Sequence, residues 1–391
     1  MGISRFHLSV RPKSHNPDNR FKTKRSSEFP AGPPRSAMET IVLWAAGVPR
    51  LSVLVSPVLM AAACLFSLSA PARANPADDR LFEAIRVTDA AAAAIGFPVA
   101  TANAPLCDRL PPGLRLVPPP PAQDAPGPPG AAVQHFSLDG PVGVEAVIPG
   151  SPAARAGIAP GDVLSGVGAE KFAPPAAQAE ATTAFLVDIT RRIAALPVDG
   201  TVAVHGRRRG SDFAIAVNPL PACRTRFEVQ FGKEFTAQAD GEMVQLSSRF
   251  LAEFPADQVA AVLAHELAHN ILHHRERLEA QGVPFGMMSN FGKASRLFRQ
   301  TEIEADILSV SLLANAGLDP SAAVRFWRAF GPEHSEGLFR GRSHPDWRDR
   351  VATIEKAIAG LGPRRPDRPS ILDTRATPLD GDWQSLLVKA H

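Results

Sequence analysis

The spacing of apolar positions changes character from one region of the chain to the next, and each change marks a different kind of element. Residues 51–70 (LSVLVSPVLMAAACLFSLSA) are apolar and uncharged, with Arg50 in front and the small-x-small triplet Ala72-Arg73-Ala74 behind, the layout of an export signal. About 20 such residues can also cross a bilayer, so a retained anchor fits the same stretch, although its serines and Pro57 suit a spanning helix poorly. Residues 78–95 are alanine-rich, with Leu81, Ile85, Val87 and Ile95 at loose helical spacing, and predict a helix that ends at Gly96-Phe97-Pro98. Residues 111–129 are so dense in proline that neither helix nor central strand should persist there, which predicts a stiff linker.

From 131 to about 219 the pattern becomes short β-branched runs punctuated by glycine, at 142–148, 162–167, 201–205 and 213–217, with a helix over 176–196. Beyond Arg224, apolar runs at 227–231 and 243–246 flank Asp240-Gly241, a hairpin signal. Helical spacing then takes over: 255–278 carries Val259, Val262, Leu263, Leu267 and Ile271. A second helix covers 301–316 before Gly317, a third covers 321–330 after Asp319-Pro320, and a last one covers 345–361. The proline-rich tail 363–391 shows no period.

Composition changes this picture in two places. The net charge of +3 comes from residues 1–37, where Arg5, Arg11, Lys13, Arg20, Lys22, Lys24, Arg25 and Arg35 face only Asp18 and Glu28, so the remainder is slightly acidic. No nucleic-acid partner is expected of such a surface. Met38 stands where a conventional signal would begin, which suggests that 1–37 precede the true start. If the signal is removed, Cys107 and Cys223 are the remaining thiols in an oxidising compartment. They read either as a disulfide or as two small buried apolar side chains. The chain has no tyrosine, so no phenol takes part in any chemistry.

Candidate chemistry lies in His265-Glu266-Leu267-Ala268-His269. A spacing of four residues stacks two imidazoles one helical turn apart, close enough to share a Zn²⁺, while Glu266 on the flank can take a proton from water. A catalytic zinc needs a third protein ligand and an open position. His273 continues the series but lies about 12 Å along a continuous helix from His265. Leu272 and Arg275 stand where an extended three-histidine motif would need glycine and histidine. Thr301-Glu302-Ile303-Glu304-Ala305-Asp306 offers a better source: Glu302 and Asp306 share a helix face, so one can bind metal while the other orients an imidazole. Glu304 points elsewhere and reads as a solvated helix residue.

The strings VAAVLAHELAHNILHH, TEIEADILSVSLLANAGLDP and SHPDWRDR, in that order, resemble the M48 metallopeptidases, which include Oma1-like and BepA-like envelope enzymes. The resemblance spans about 224–361. It implies an α+β fold with a mainly helical gluzincin peptidase domain and a small β-hairpin or sheet. It also implies His265, His269 and Glu302 as ligands of one zinc, Glu266 as general base and then acid, and Asp306 bonded to His265. Phe235, Thr236 and Ala237 would open the strand that pairs with an extended substrate, with Thr236 standing where the family commonly has asparagine. His344 and Arg350 match the family's late motif and become candidates to stabilise the oxyanion, since no tyrosine can. In relatives the histidine can also plug the metal.

The string VGVEAVIPGSPAARAGIAPGDVLSGVG, residues 142–168, resembles a PDZ domain of the bacterial envelope-protease type. That implies a β-sandwich or barrel in which Val142, Gly143 and Val144 receive a peptide's terminal carboxylate. Cys107 and Cys223 bracket this region, so it is expected to be inserted into the peptidase domain. The expected division is 1–37 extension, 38–74 signal or anchor, 75–115 helical part of the peptidase, 116–130 linker, 131–219 PDZ-like domain, 220–362 peptidase and 363–391 tail. The functional expectation is an exported metalloendopeptidase of the periplasm or cell envelope, acting on misfolded or misassembled polypeptides docked by their C-termini, with membrane association if the anchor is kept. A non-catalytic PDZ adaptor or chaperone with a structural zinc is the alternative. The unliganded acid Glu266 speaks against it, since a structural site has no use for one.

Overall fold

The computed structural model describes residues 76–110, 112–113, 116–117, 135–136, 140, 142–173, 183–198, 200–283, 292–334 and 344–390. The extension and the signal or anchor expected within 1–74 lie outside the described residues. Among the described residues no helix is long and apolar enough to cross a membrane.

Helix α1, Pro76–Ala102, runs straight through Gly96 and Pro98 instead of stopping there. Gly96 is a point of close approach rather than a terminator, because a Cβ there would lie 2.5 Å from the Phe227 ring. The apolar stripe continues past it through Val99 and Ala100 into the main core. Asn103, fully buried, closes the helix by donating from Nδ2 to Val99 O and to Leu312 O at 2.8 and 2.9 Å.

Two short strands then appear inside the proline-rich stretch, β1 at Pro112–Gly113 and β2 at Leu116–Val117. Two-residue pairings at sheet edges are compatible with proline where a long central strand is not. The expected linker is therefore tied at its start, since β2 pairs antiparallel with a strand of the next domain.

That domain contains β3 (Val142–Gly143), β4 (Ala146–Val147), a single turn of helix α2 (Pro152–Arg155), β5 (Val163–Val167), β6 (Glu170–Lys171), α3 (Thr183–Ala194), β7 (Val202–Arg208) and β8 (Ser211–Val217). Its sheet runs β3-β5-β7-β8 with β6 beside β5, around a core of Val144, Leu164, Val167, Ile189 and Val204. Ser151 caps α2 by accepting from Ala154 N, and Gly157, at φ +83°, ends it in a conformation that favours glycine. Ala146 and Ile148 pack on Ala93 and Phe97 of α1.

The chain returns through β9 (Leu220–Pro221), which pairs antiparallel with β1, and Cys223 is joined to Cys107. Strands β10 (Arg226–Gln230), β11 (Ala237–Ala239) and β12 (Met243–Ser247) form a sheet in the order β10-β12-β11. The Asp240-Gly241 turn does make a hairpin, but its arms are β11 and β12; the 227–231 run expected as the first arm instead pairs parallel to β12, Phe227 against Val244. A tight turn joins only strands that abut it, and β10 ends too far upstream.

The helical body follows: α4 (Ser248–Glu253), α5 (Ala256–Ile271), α6 (His274–Ala280), α7 (Gly292–Asn315), α8 (Ser321–His334) and α9 (Trp347–Ala359). Helix α5 is buried on nearly every side and shares one apolar core with α1, α7 and α8. The expected single helix over 255–278 breaks at His273, which takes φ +54°. The tail is folded too. A 3₁₀ segment, Ser370–Ala376, buries Ile371 and Leu372 in the main core, and Leu379 is buried among Leu278, Val283 and Leu297.

Candidate active site

Helix α5 carries His265 and His269 on one face, and α7 crosses it with Glu302 opposite them. The Nε2 atoms of the two histidines are 3.1 Å apart, and each is 3.5 Å from a Glu302 carboxylate oxygen. Donor atoms bonded tetrahedrally at ~2.1 Å to one ion would be separated by about 3.4 Å. Two nitrogens and a carboxylate at these separations therefore fit a divalent cation of the zinc type, and among the described residues this is the one such group of three.

Each histidine is backed by a buried acid. Asp306 Oδ1 lies 3.0 Å from His265 Nδ1, and Arg350 from α9 grips the same carboxylate with Nε and Nη2, both at 2.7 Å. Arg350 Nη1 reaches Glu302 at 3.2 Å, and its guanidinium sits 3.9 Å over the Trp327 ring. These contacts let Arg350 brace Asp306 and Glu302, and its Nη2 also lies 3.4 Å from His265 Nε2. His344, whose side chain is 61% exposed, stands with Nδ1 3.3 Å from Glu302 and lines the open side.

The second acid was missed by sequence reasoning. Because the chain breaks at His273, α6 starts by turning His274 back toward α5, with its Nδ1 2.8 Å from His269 Nδ1. His274 Nε2 is 3.0 Å from Glu304, which also accepts from Arg277 at 2.7 Å and from Gln300 at 2.8 Å. Glu304 is thus 1% exposed and not the solvated residue expected. The His273-His274 doublet was the available signal, but a break without glycine or proline leaves no mark in the apolar period. His273 itself faces away, to Asp108 at 3.2 Å.

Electrostatics follow from this arrangement. Burial works against charge on His265, but Asp306 and Glu302 outweigh it and raise its pKa to about 10, while burial pushes His269 well below its ordinary value. Glu302 and Asp306 stay ionised despite burial, the first through His344, His265 and Arg350, the second chiefly through Arg350. Burial lifts Glu266 to about 7, with the His265 charge opposing. A cation beside it would favour its carboxylate form.

The site opens into a cavity of about 740 Å³ with an aromatic wall of Phe235, Phe250, Phe326, Trp327 and Phe330. Ala237 lines it as well, from β11 at the edge of the sheet. Thr236 O accepts from Ser247 N at 2.8 Å, which holds the start of that edge. Among the described residues the outer side of β11 has no strand partner.

Val142, Gly143 and Val144 lie in and directly after β3, the edge strand of its sheet. The first two pair with Leu164 and Val163 in β5, and the amide and carbonyl of Val144 are bonded to Asp162 O and Gly161 N, both at 2.8 Å. Among the described residues the outer side of β3 has no strand partner.

Comparison with known families agrees with this architecture: residues 233–297 and 292–358 match the model of peptidase family M48, and 143–172 match the PDZ domain model. Residues 233–358 are thus similar to an M48 peptidase domain. Mitochondrial metalloendopeptidase OMA1 of Schizosaccharomyces pombe is 29% identical over 121 residues, covering 26% of this chain and 36% of that protein. The span matched to the M48 model holds both helices of the candidate metal site, and the chain matches about a third of that relative's length. The mixed helical and β fold with a PDZ region stands as expected.

Proposed function

We propose that this chain is a zinc-dependent endopeptidase of exported or membrane-associated polypeptides in the periplasm or cell envelope. The observation that carries the reading is the convergence of His265, His269 and Glu302 with a buried, unliganded Glu266 at the mouth of a substrate-sized cavity. Zinc bound there supplies a Lewis acid that makes water nucleophilic at neutral pH. The chain's own residues do the rest. β11 offers an open edge for an extended peptide. Glu266 takes the proton of the attacking water and returns it to the leaving amine. His344, on the exposed side, donates to the oxygen on which negative charge develops. Asp306 and Arg350 hold His265 and Glu302 still.

The aromatic wall selects a bulky apolar side chain next to the scissile bond, the kind that a folded protein hides and a misfolded one exposes. The PDZ domain, fixed to α1, would hold such substrates near the site and raise their local concentration. Export is supported by the Cys107–Cys223 bond, which needs an oxidising compartment, and by the apolar stretch 51–70. The test is casein cleavage by wild type and Glu266→Gln with zinc content measured in both. Loss of at least about a hundredfold in rate with zinc retained is expected. Equal rates would remove the peptidase reading and leave a polypeptide-binding adaptor.

A further inference from the structure

Both arms of the clamp around Glu304 end on the C-terminal segment. Arg277, which donates to Glu304 through Nη1, donates through Nε to Thr377 O at 3.0 Å. Gln300, which donates to the other Glu304 oxygen, accepts at its own Oε1 from Gly381 N at 2.7 Å. Between these two points Leu379 is buried, 3% exposed, and its carbonyl accepts from Gln281. Gly381 lies at φ +80°, so the chain reaches Gln300 in a conformation that favours glycine.

We propose that residues 377–381 act as a strap that positions His269, and so sets the metal affinity of the site, through Arg277 and Gln300, then Glu304, then His274. The inference rests on the metal-site reading above. The donor logic runs one way. His269 presents Nε2 to the site, so its Nδ1–H donates to His274 Nδ1, and His274 Nε2–H donates to Glu304. A carboxylate at the far end of such a chain fixes the ring and makes it a better ligand, provided the carboxylate cannot swing away. Two backbone groups of the strap remove that freedom. On the other side of the site Asp306 is held by one arginine from α9. The His269 side depends instead on a segment that follows the last helix, outside the span matched to the M48 model.

The test compares zinc dissociation constants, by competition with a chromophoric chelator, for wild type, Gln300→Met, Leu379→Asp and the chain stopped after Ala376. Circular dichroism and apo-protein melting confirm folding of each. Weakening of zinc binding by roughly 10- to 100-fold in folded variants is expected. If the truncated chain does not fold, the two point variants decide. Wild-type affinity in folded variants would overturn the strap. A wild-type protein that takes up no zinc would overturn the metal reading itself, and the strap with it.

Discussion

Glu145 is a carboxylate placed where a carboxylate is costly. It lies between β3 and β4 with 1% exposure, and among the described residues neither oxygen has a hydrogen-bond partner. Burial, and then the negative charge of Asp89 on α1, push its pKa from 4.5 up to about 8; Arg86 opposes and Glu83 adds to the rise. Asp89, bonded to Val229 N at 2.9 Å and facing Glu228, is itself raised to about 6 by burial. Between the unfolded and folded pKa values of Glu145 the folded chain holds a proton that the unfolded chain has lost. Stability therefore falls as pH rises from about 4.5 to about 8 and levels off above, by an amount on the order of 5 kcal/mol. Melting midpoints of wild type should drop across that window and those of Glu145→Gln much less. Parallel curves would show that the carboxyl is not held protonated.

At the scale of elements, α8 presents Phe326, Trp327 and Phe330 to the cavity beside the metal ligands. Phe330 stacks on Phe326 at 5.1 Å and meets Phe235 edge-on at 5.3 Å, so one ring ties α8 to the segment just before β11. Phe330→Ala should lower kcat/KM for peptides with a bulky apolar residue at the scissile bond by roughly tenfold more than for peptides with alanine there. A uniform loss would assign Phe330 to packing alone. These elements differ in how readable they were from sequence. α5 and the second half of α7 were legible because their motifs and their apolar period coincide, which also brought His265, Glu266, His269, Glu302 and Asp306 within reach, although α7 begins at Gly292 and not at the expected 301. The break at His273 was not, because a left-handed histidine costs about 1–2 kcal/mol and only the tertiary bonds of His273 and His274 select it. The run through Gly96 and Pro98 was hidden for the same kind of reason: the Phe227 ring that requires a glycine is more than a hundred residues away in sequence. β11 is too short to declare itself by alternation, so the wrong strand was paired with the turn.

At the scale of the molecule, the peptidase core begins at α1, is left for the PDZ domain, and is resumed at Ala222 and Cys223. An insertion of this kind is stable only if the points of exit and return are held together, and several independent bonds do so. Cys223 N donates to Ala100 O at 2.9 Å, Arg224 N donates to Arg109 O at 3.0 Å, β1 pairs with β9, and Cys107 is joined to Cys223 across 116 residues. Closing a loop of that length in the unfolded chain would stabilise the fold by about 5 kcal/mol on the chain-entropy model. Reduction should therefore lower the denaturation midpoint while leaving the folded geometry intact, because the backbone bonds at the crossing do not need the sulfurs. A Cys107→Ser, Cys223→Ser variant should match the reduced wild type in midpoint and keep its zinc, since neither sulfur touches the ligands. The consequence separates two roles of the same crossing: if zinc is lost together with the disulfide, α1 is anchored to α7 by the sulfurs and not by Asn103, and the insertion would tune the metal site as well as stabilise the fold.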